Sequence, residues 1–83
     1  MENQNTNTMK ISQVLIDNMY TQGRQQGRIA EYGATKEERS EAINSCTRNN
    51  DAIKRSKENG NEYMIPAFEA FVKGFRDVYY SMD

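Results

Sequence analysis

The C-terminal third of the chain carries the apolar pattern that most constrains the fold. Apolar side chains recur there at three- and four-residue steps, at Met64, Ala67, Phe68, Phe71, Phe75, Val78, Tyr79 and Met82. This spacing predicts an amphipathic helix. Its apolar face is wider than half of the circumference, because it also takes in Tyr63, Ile65, Val72 and Tyr80. One further thin helix cannot cover such a face, so we expect a second protomer to bury it at an interface of Phe68, Phe71, Phe75 and Tyr79.

Two shorter signals set the limits of the helices before it. Pro66 is tolerated only near a helix start, so the C-terminal helix should begin close to it. Upstream, Thr35 and Glu38 have the spacing of a capping box, which predicts a helix that runs to about Asn59 and ends at Gly60. The apolar face of this middle helix is poor and consists of Ala42, Ile43, Cys46, Ala52 and Ile53.

The sequence of the N-terminal part predicts a disordered tail followed by a first helix. Residues 1–8 contain no apolar side chain after Met1 and should form a disordered tail. Helical spacing begins near Met9 with Ile11, Val14, Leu15 and Met19. Gly23 and Gly27 then interrupt the pattern. At these glycines the helix either stops, bends or continues because packing against another element stabilises it. The apolar stripe resumes at Ile29 and Ala30, and Gly33 suits the helix end.

These elements predict an all-α fold with three helices. An antiparallel helical hairpin covers about residues 35–82, and the N-terminal helix packs across it or onto a neighbouring protomer. Residues 9–83 then form a single helical domain. Leu, Ile, Val and Phe together make up only 13 of the 83 residues, so the hydrophobic core is small. We therefore expect a disulfide, a structural metal or a partner protein to stabilise the fold. Since Cys46 is alone and the chain has no His, a disulfide and a zinc site are both disfavoured, and we expect a homo-oligomer.

Composition also limits the class of function. The chain offers no His for acid–base work, no glycine-rich loop after a strand and no metal-ligand cluster, so we expect no enzyme and no cofactor. The net charge is −1 without a run of like charge, which argues against binding to nucleic acid or to a membrane surface. Cys46 is interpreted as a small buried hydrophobe. The lone thiol, and the lack of any apparent spanning segment or signal peptide, indicate a cytoplasmic protein.

One segment suggests ligand binding. Arg24 and Arg28 lie one helical turn apart, beside glycines that allow a ligand close to the backbone. Two guanidinium groups on one face match the geometry for gripping phosphate oxygens, and Tyr20 or Tyr32 could stack on a base. The alternative is structural: the glycines allow close helix packing and the arginines are solvated.

The C-terminal helix resembles that of a known family. The pattern Tyr63-Met64, Ala67, Phe71, Gly74-Phe75, Val78 and Met82 is similar to the last helix of the phage anti-CBASS cyclic-nucleotide sponges, which share a helical hairpin with an anti-Thoeris family. Tyr63 stands where that family has Trp. The opening of the family's hairpin looks like Tyr32, Thr35, Glu37 and Glu38.

The resemblance implies a helical oligomer that sequesters a signalling cyclic nucleotide between protomers without catalysis. It implies Tyr32 and Thr35 as ligand contacts, to which the spacing argument adds Arg24 and Arg28. Such a protein would be a phage-type counter-defence factor in the host bacterial cytoplasm. The alternative is a small helical inhibitor that blocks a host protein, for example a defence nuclease, a polymerase or a regulator.

Overall fold

A computed structural model describes residues 11–80. It contains three α-helices, α1 (Gln13–Tyr32), α2 (Lys36–Glu58) and α3 (Ile65–Val78), with a 3-10 turn at Glu62–Met64 before α3. The part of the chain that is described has no strand, so the all-α expectation is confirmed. Within residues 11–80, no helix combines the length and the apolar character that crossing a membrane would need. The predicted tail and Met82 lie outside the described residues.

The helix ends follow their sequence signals. Ser12 caps α1 by accepting a hydrogen bond from the amide of Leu15 at 3.1 Å. The capping box of α2 is formed: the amide of Glu38 donates to the Thr35 hydroxyl at 3.0 Å, and the Glu38 carboxylate accepts from the amide of Thr35 at 3.3 Å. Pro66 sits in the first turn of α3, where the missing amide proton costs no helical hydrogen bond. The helix ends at Val78, earlier than predicted, because Tyr79 is extended.

The contact between α1 and α3 is the closest helix packing in the described structure. An added Cβ on Gly23 would overlap the carbonyl oxygen of Phe71, and one on Gly27 would lie 2.7 Å from the carbonyl oxygen of Phe75. On the other side, a Cβ on Gly74 would lie 3.0 Å from the amide nitrogen of Arg24. These glycines let the two backbones touch, and the pairing of positions shows that α1 and α3 run in the same direction. α1 is therefore continuous through both of its glycines.

This packing changes the expected role of the aromatic face. Phe75 is fully buried and Phe71 is 6% exposed within a single chain. Phe75 packs in a cluster with Ala30 of α1 and with Ala42 and Cys46 of α2. The first helix supplies the cover that the apolar pattern predicts from a second protomer, so Phe71 and Phe75 are core residues of one chain. Of the four residues expected at an interface, Phe68 and Tyr79 are the two that keep partial exposure.

We predict that Gly23→Ala destabilises the protein although alanine is the better helix former by about 1 kcal/mol. The new methyl group meets the backbone of Phe71, which cannot rotate away as a side chain would. Overpacking of this kind costs about 2 kcal/mol, which should lower the melting temperature by about 10 °C.

The matched control is Gln25→Ala, an exposed position on the same helix. It should melt at or slightly above the temperature of the unmodified protein. If Gly23→Ala melts no lower than this control, the close contact between α1 and α3 is not present.

Candidate functional site

The candidate ligand residues follow one edge of α1. Tyr20, Arg24, Arg28 and Tyr32 are four residues apart, and each step moves the side chain about 40° around the helix. The series therefore winds from the side that faces α3 towards solvent. Tyr20 and Arg24 are half-buried, Arg28 is exposed, and Tyr32 is 74% exposed. We call Arg24, Arg28 and Tyr32 together the arginine face.

Contacts with α3 fix the half-buried end of this edge, which consists of Tyr20 and Arg24. The Tyr20 hydroxyl donates a hydrogen bond of 2.5 Å to Oδ2 of Asp77, and the ammonium group of Lys73 lies 3.6 Å from the same oxygen. The guanidinium carbon of Arg24 lies 5.9 Å from the centre of the Tyr20 ring, within the range of a cation–π contact. Tyr20 therefore connects the arginine face to α3.

The Asp77 carboxylate belongs to this cluster. The hydrogen bond from Tyr20, with smaller contributions from the charges of Lys73 and Arg24, holds its pKa below the ordinary value. Asp77 is therefore ionised at neutral pH, and its charge offsets part of the positive charge of Arg24. The outer residue, Arg28, is not among the charges that act on Asp77.

Arg28 and Tyr32 have the freedom that ligand binding requires. The ion pairs of the described residues are Arg48 with Glu41 and Lys73 with Asp77, and neither involves Arg28. A free guanidinium group can donate two parallel hydrogen bonds to a phosphate. The exposed ring of Tyr32 offers a flat surface on which a base can stack. The two side chains start one turn apart on the same helix.

Thr35 does not join this group. Its hydroxyl already accepts the capping hydrogen bond from Glu38, and it lies at the start of α2 beside Glu37 and Glu38. Two carboxylates so close to Thr35 disfavour an anion there. The structure therefore places Arg24, Arg28 and Tyr32 along one edge and Thr35 across the turn in a capping role.

Cys46 has no sign of reactivity. It is 1% exposed, and burial raises the pKa of its thiol, with the charge of Arg76 opposing that shift. A desolvated thiol carries little thiolate and is a poor nucleophile. The interpretation of Cys46 as a small buried hydrophobe is confirmed. Within residues 11–80, no three His, Cys, Asp or Glu side chains lie together as a metal site requires.

Asp77 was missed by the sequence analysis. It lies 57 residues from Tyr20, and only the packing of α1 on α3 brings the two together. The four-residue spacing from Tyr20 to Arg24 was visible, but the carboxylate partner on another helix left no local signal.

We predict that Tyr20→Phe raises the pKa of Asp77 towards its ordinary value, because the phenylalanine removes the hydrogen bond that is the largest cause of the shift. A pKa lowered by folding means that ionised Asp77 stabilises the folded state above about pH 4 and that this contribution disappears as the pH falls through the lowered pKa. NMR titration of the Asp77 carboxyl carbon measures the shift directly.

Tyr63→Phe is the control for this titration, because Tyr63 is exposed and the tyrosine that donates to the carboxylate is Tyr20. It should leave the titration of Asp77 unchanged. Equal Asp77 titration curves for Tyr20→Phe and the unmodified protein would show that the hydrogen bond between α1 and α3 does not form in solution.

Comparison of the chain with models of protein families, with curated proteins and with solved structures found no match.

Proposed function

We propose that this protein binds a signalling cyclic nucleotide on the arginine face and sequesters it without catalysis, as a phage-type counter-defence sponge. The observation that carries the proposal is the placement of Arg28, an exposed cation unpaired within the described residues, between half-buried Arg24 and strongly exposed Tyr32. The resemblance of the C-terminal helix supports the same class of ligand.

In this proposal the two arginines hold the phosphates and Tyr32 stacks on a base. Arg28 makes the outer phosphate contact, because its side chain is exposed whereas Arg24 is half-buried. The ring of Tyr20 orients the guanidinium group of Arg24 through the cation–π contact. The arginine face lies open on the outside of α1, so the wall that closes over the ligand comes from a second protomer. A homo-oligomer is therefore part of the proposed mechanism, although one chain already buries Phe71 and Phe75 by itself.

The second candidate is the helical inhibitor that docks on a host protein, such as a defence nuclease, a polymerase or a regulator. It is supported by the apolar side chains that α1 leaves on its outer surface, since Val14 is 68% exposed and Ile29 is partly exposed. Its docking surface would not be the aromatic stripe of α3, because Phe71 and Phe75 are covered by α1 and α2.

We predict that a cyclic di- or trinucleotide raises the melting temperature of the protein in a screen that also records oligomer mass. At a hundred times its dissociation constant, a ligand stabilises the folded state by about 2.7 kcal/mol, a shift of about 10 °C or more for a domain of this size. The combined variant Arg24→Ala, Arg28→Ala and Tyr32→Ala should lose the shift.

The control variant Lys54→Ala, Arg55→Ala and Tyr63→Ala removes two cations and one tyrosine from exposed positions elsewhere. It should keep the full shift. If both variants respond like the unmodified protein, the ligand binds elsewhere and the arginine face is not the site. If no nucleotide shifts the melting temperature and the mass is that of a monomer, the docking inhibitor is the better account.

A further inference from the structure

The turn that follows α2 holds a pair of residues with chemistry of its own. Of the nine asparagines in the chain, Asn59 is the one that precedes a glycine. The backbone nitrogen that follows an asparagine can attack the carbon of the side-chain amide, and a following glycine has no Cβ to obstruct the approach. Asn59 and Gly60 therefore combine a susceptible amide with an accessible nucleophile.

Both residues are open to solvent. Asn59 is the C-cap of α2, Gly60 follows it with a positive φ of 69°, and the two are exposed. A Cβ added to Gly60 would meet no atom within 4 Å, so no other part of the described structure packs against this side of the turn. Hydroxide can therefore reach the amide of Gly60 to remove its proton, and water can reach the product that forms.

The hydrogen bonds that close this turn are those of a helix end. The amide of Asn61 donates to the carbonyl oxygen of Ser56 at 2.9 Å, and the amide of Gly60 donates to that of Lys57 at 3.3 Å. The second bond is longer than usual, and helix ends open more easily than helix interiors. Opening frees the Gly60 nitrogen and lets ψ of Asn59 rotate from −1°, so that this nitrogen can approach the side-chain carbon.

The other described asparagines lack this combination. Four of them lie inside α1 or α2, where the amide of the next residue donates to a carbonyl oxygen one helical turn earlier: Asn18, Asn44, Asn49 and Asn50. Asn61 is exposed like Asn59, but the residue that follows it is Glu62, whose side chain hinders the attack. The structure therefore singles out Asn59 by its place at the helix end as well as by its neighbour.

From this placement we propose that Asn59 is a site of spontaneous deamidation in the folded protein. The bond from the Gly60 nitrogen to Cγ of Asn59 forms, the bond from Cγ to the side-chain nitrogen breaks, and that nitrogen leaves as ammonia. The proton lost from the Gly60 amide balances the proton gained by the leaving group. Water then opens the succinimide ring, which gives aspartate or isoaspartate at this position and makes the net charge of −1 more negative by one unit.

The isoaspartate product undoes the end of α2. It carries an additional methylene group in the main chain before Gly60, which moves the amides of Gly60 and Asn61 away from the carbonyl oxygens of Lys57 and Ser56. The turn that joins α2 to α3 then loses the hydrogen bonds that close it. The reaction involves no residue of the arginine face, so this inference does not depend on the proposed function.

The experiment incubates the full-length protein at neutral pH and follows every asparagine by peptide mapping with mass spectrometry. Asn59 should be converted first, with isoaspartate among its products, while Asn61 stays intact. An acidic fraction should accumulate on ion exchange, and its isoaspartate component should melt at a lower temperature than the starting protein. Asn59→Gln should produce no such fraction, because the longer side chain would have to close a less favourable ring.

Ser45→Gly is the matched control, because it places a second asparagine–glycine pair inside α2. In the folded variant Asn44 should be converted more slowly than Asn59, since the helix holds the attacking nitrogen, and in urea the two should react at similar rates. Equal rates in the folded variant, or conversion of Asn61 as fast as Asn59 in the unmodified protein, would overturn the inference. So would an Asn59 that stays intact in the folded protein over the time in which it reacts in urea.

Discussion

The fold depends on the direct backbone contact between α1 and α3. Gly23 and Gly27 on one helix and Gly74 on the other remove the side chains that would hold the axes apart. Each glycine costs about 1 kcal/mol of helix stability relative to alanine. The close approach offsets that cost, because it lays α1 over an aromatic face that would otherwise stay in water. Without it, Phe71 and Phe75 would need another molecule to cover them.

The same contact organises the candidate sites. It brings Tyr20 against Asp77, which lowers the pKa of that carboxyl and steadies Arg24 beside it. It also points the opposite side of α1 outwards, so Arg28 and Tyr32 are exposed on one edge and Ile29 is partly exposed on another.

Local signals in the sequence predicted the helices well and their packing less well. The capping box at Thr35 and the position of Pro66 set two helix starts correctly, because both act within a few residues of chain. The glycines of α1 are compatible with a break in the helix or with close packing against another helix. Only the position of α3 decides between these two outcomes. The cover over Phe75 and the link from Tyr20 to Asp77 join residues that are far apart in sequence, and periodicity carries no information about such pairs. The hydroxyl of Thr35, a predicted ligand contact, accepts the capping hydrogen bond of α2, and its contact with a ligand stays a prediction.

The most direct test of this account is an NMR measurement of the contact between α1 and α3 on a sample that mixes isotope-labelled and unlabelled chains. The account predicts nuclear Overhauser effects between the α protons of Gly27 and the methyl groups of Val78, and between Gly23 and Phe71, all within one chain. Their absence would contradict the close packing. Their appearance only in the spectrum filtered for contacts between chains would show that a second protomer, and not the first helix of the same chain, covers α3.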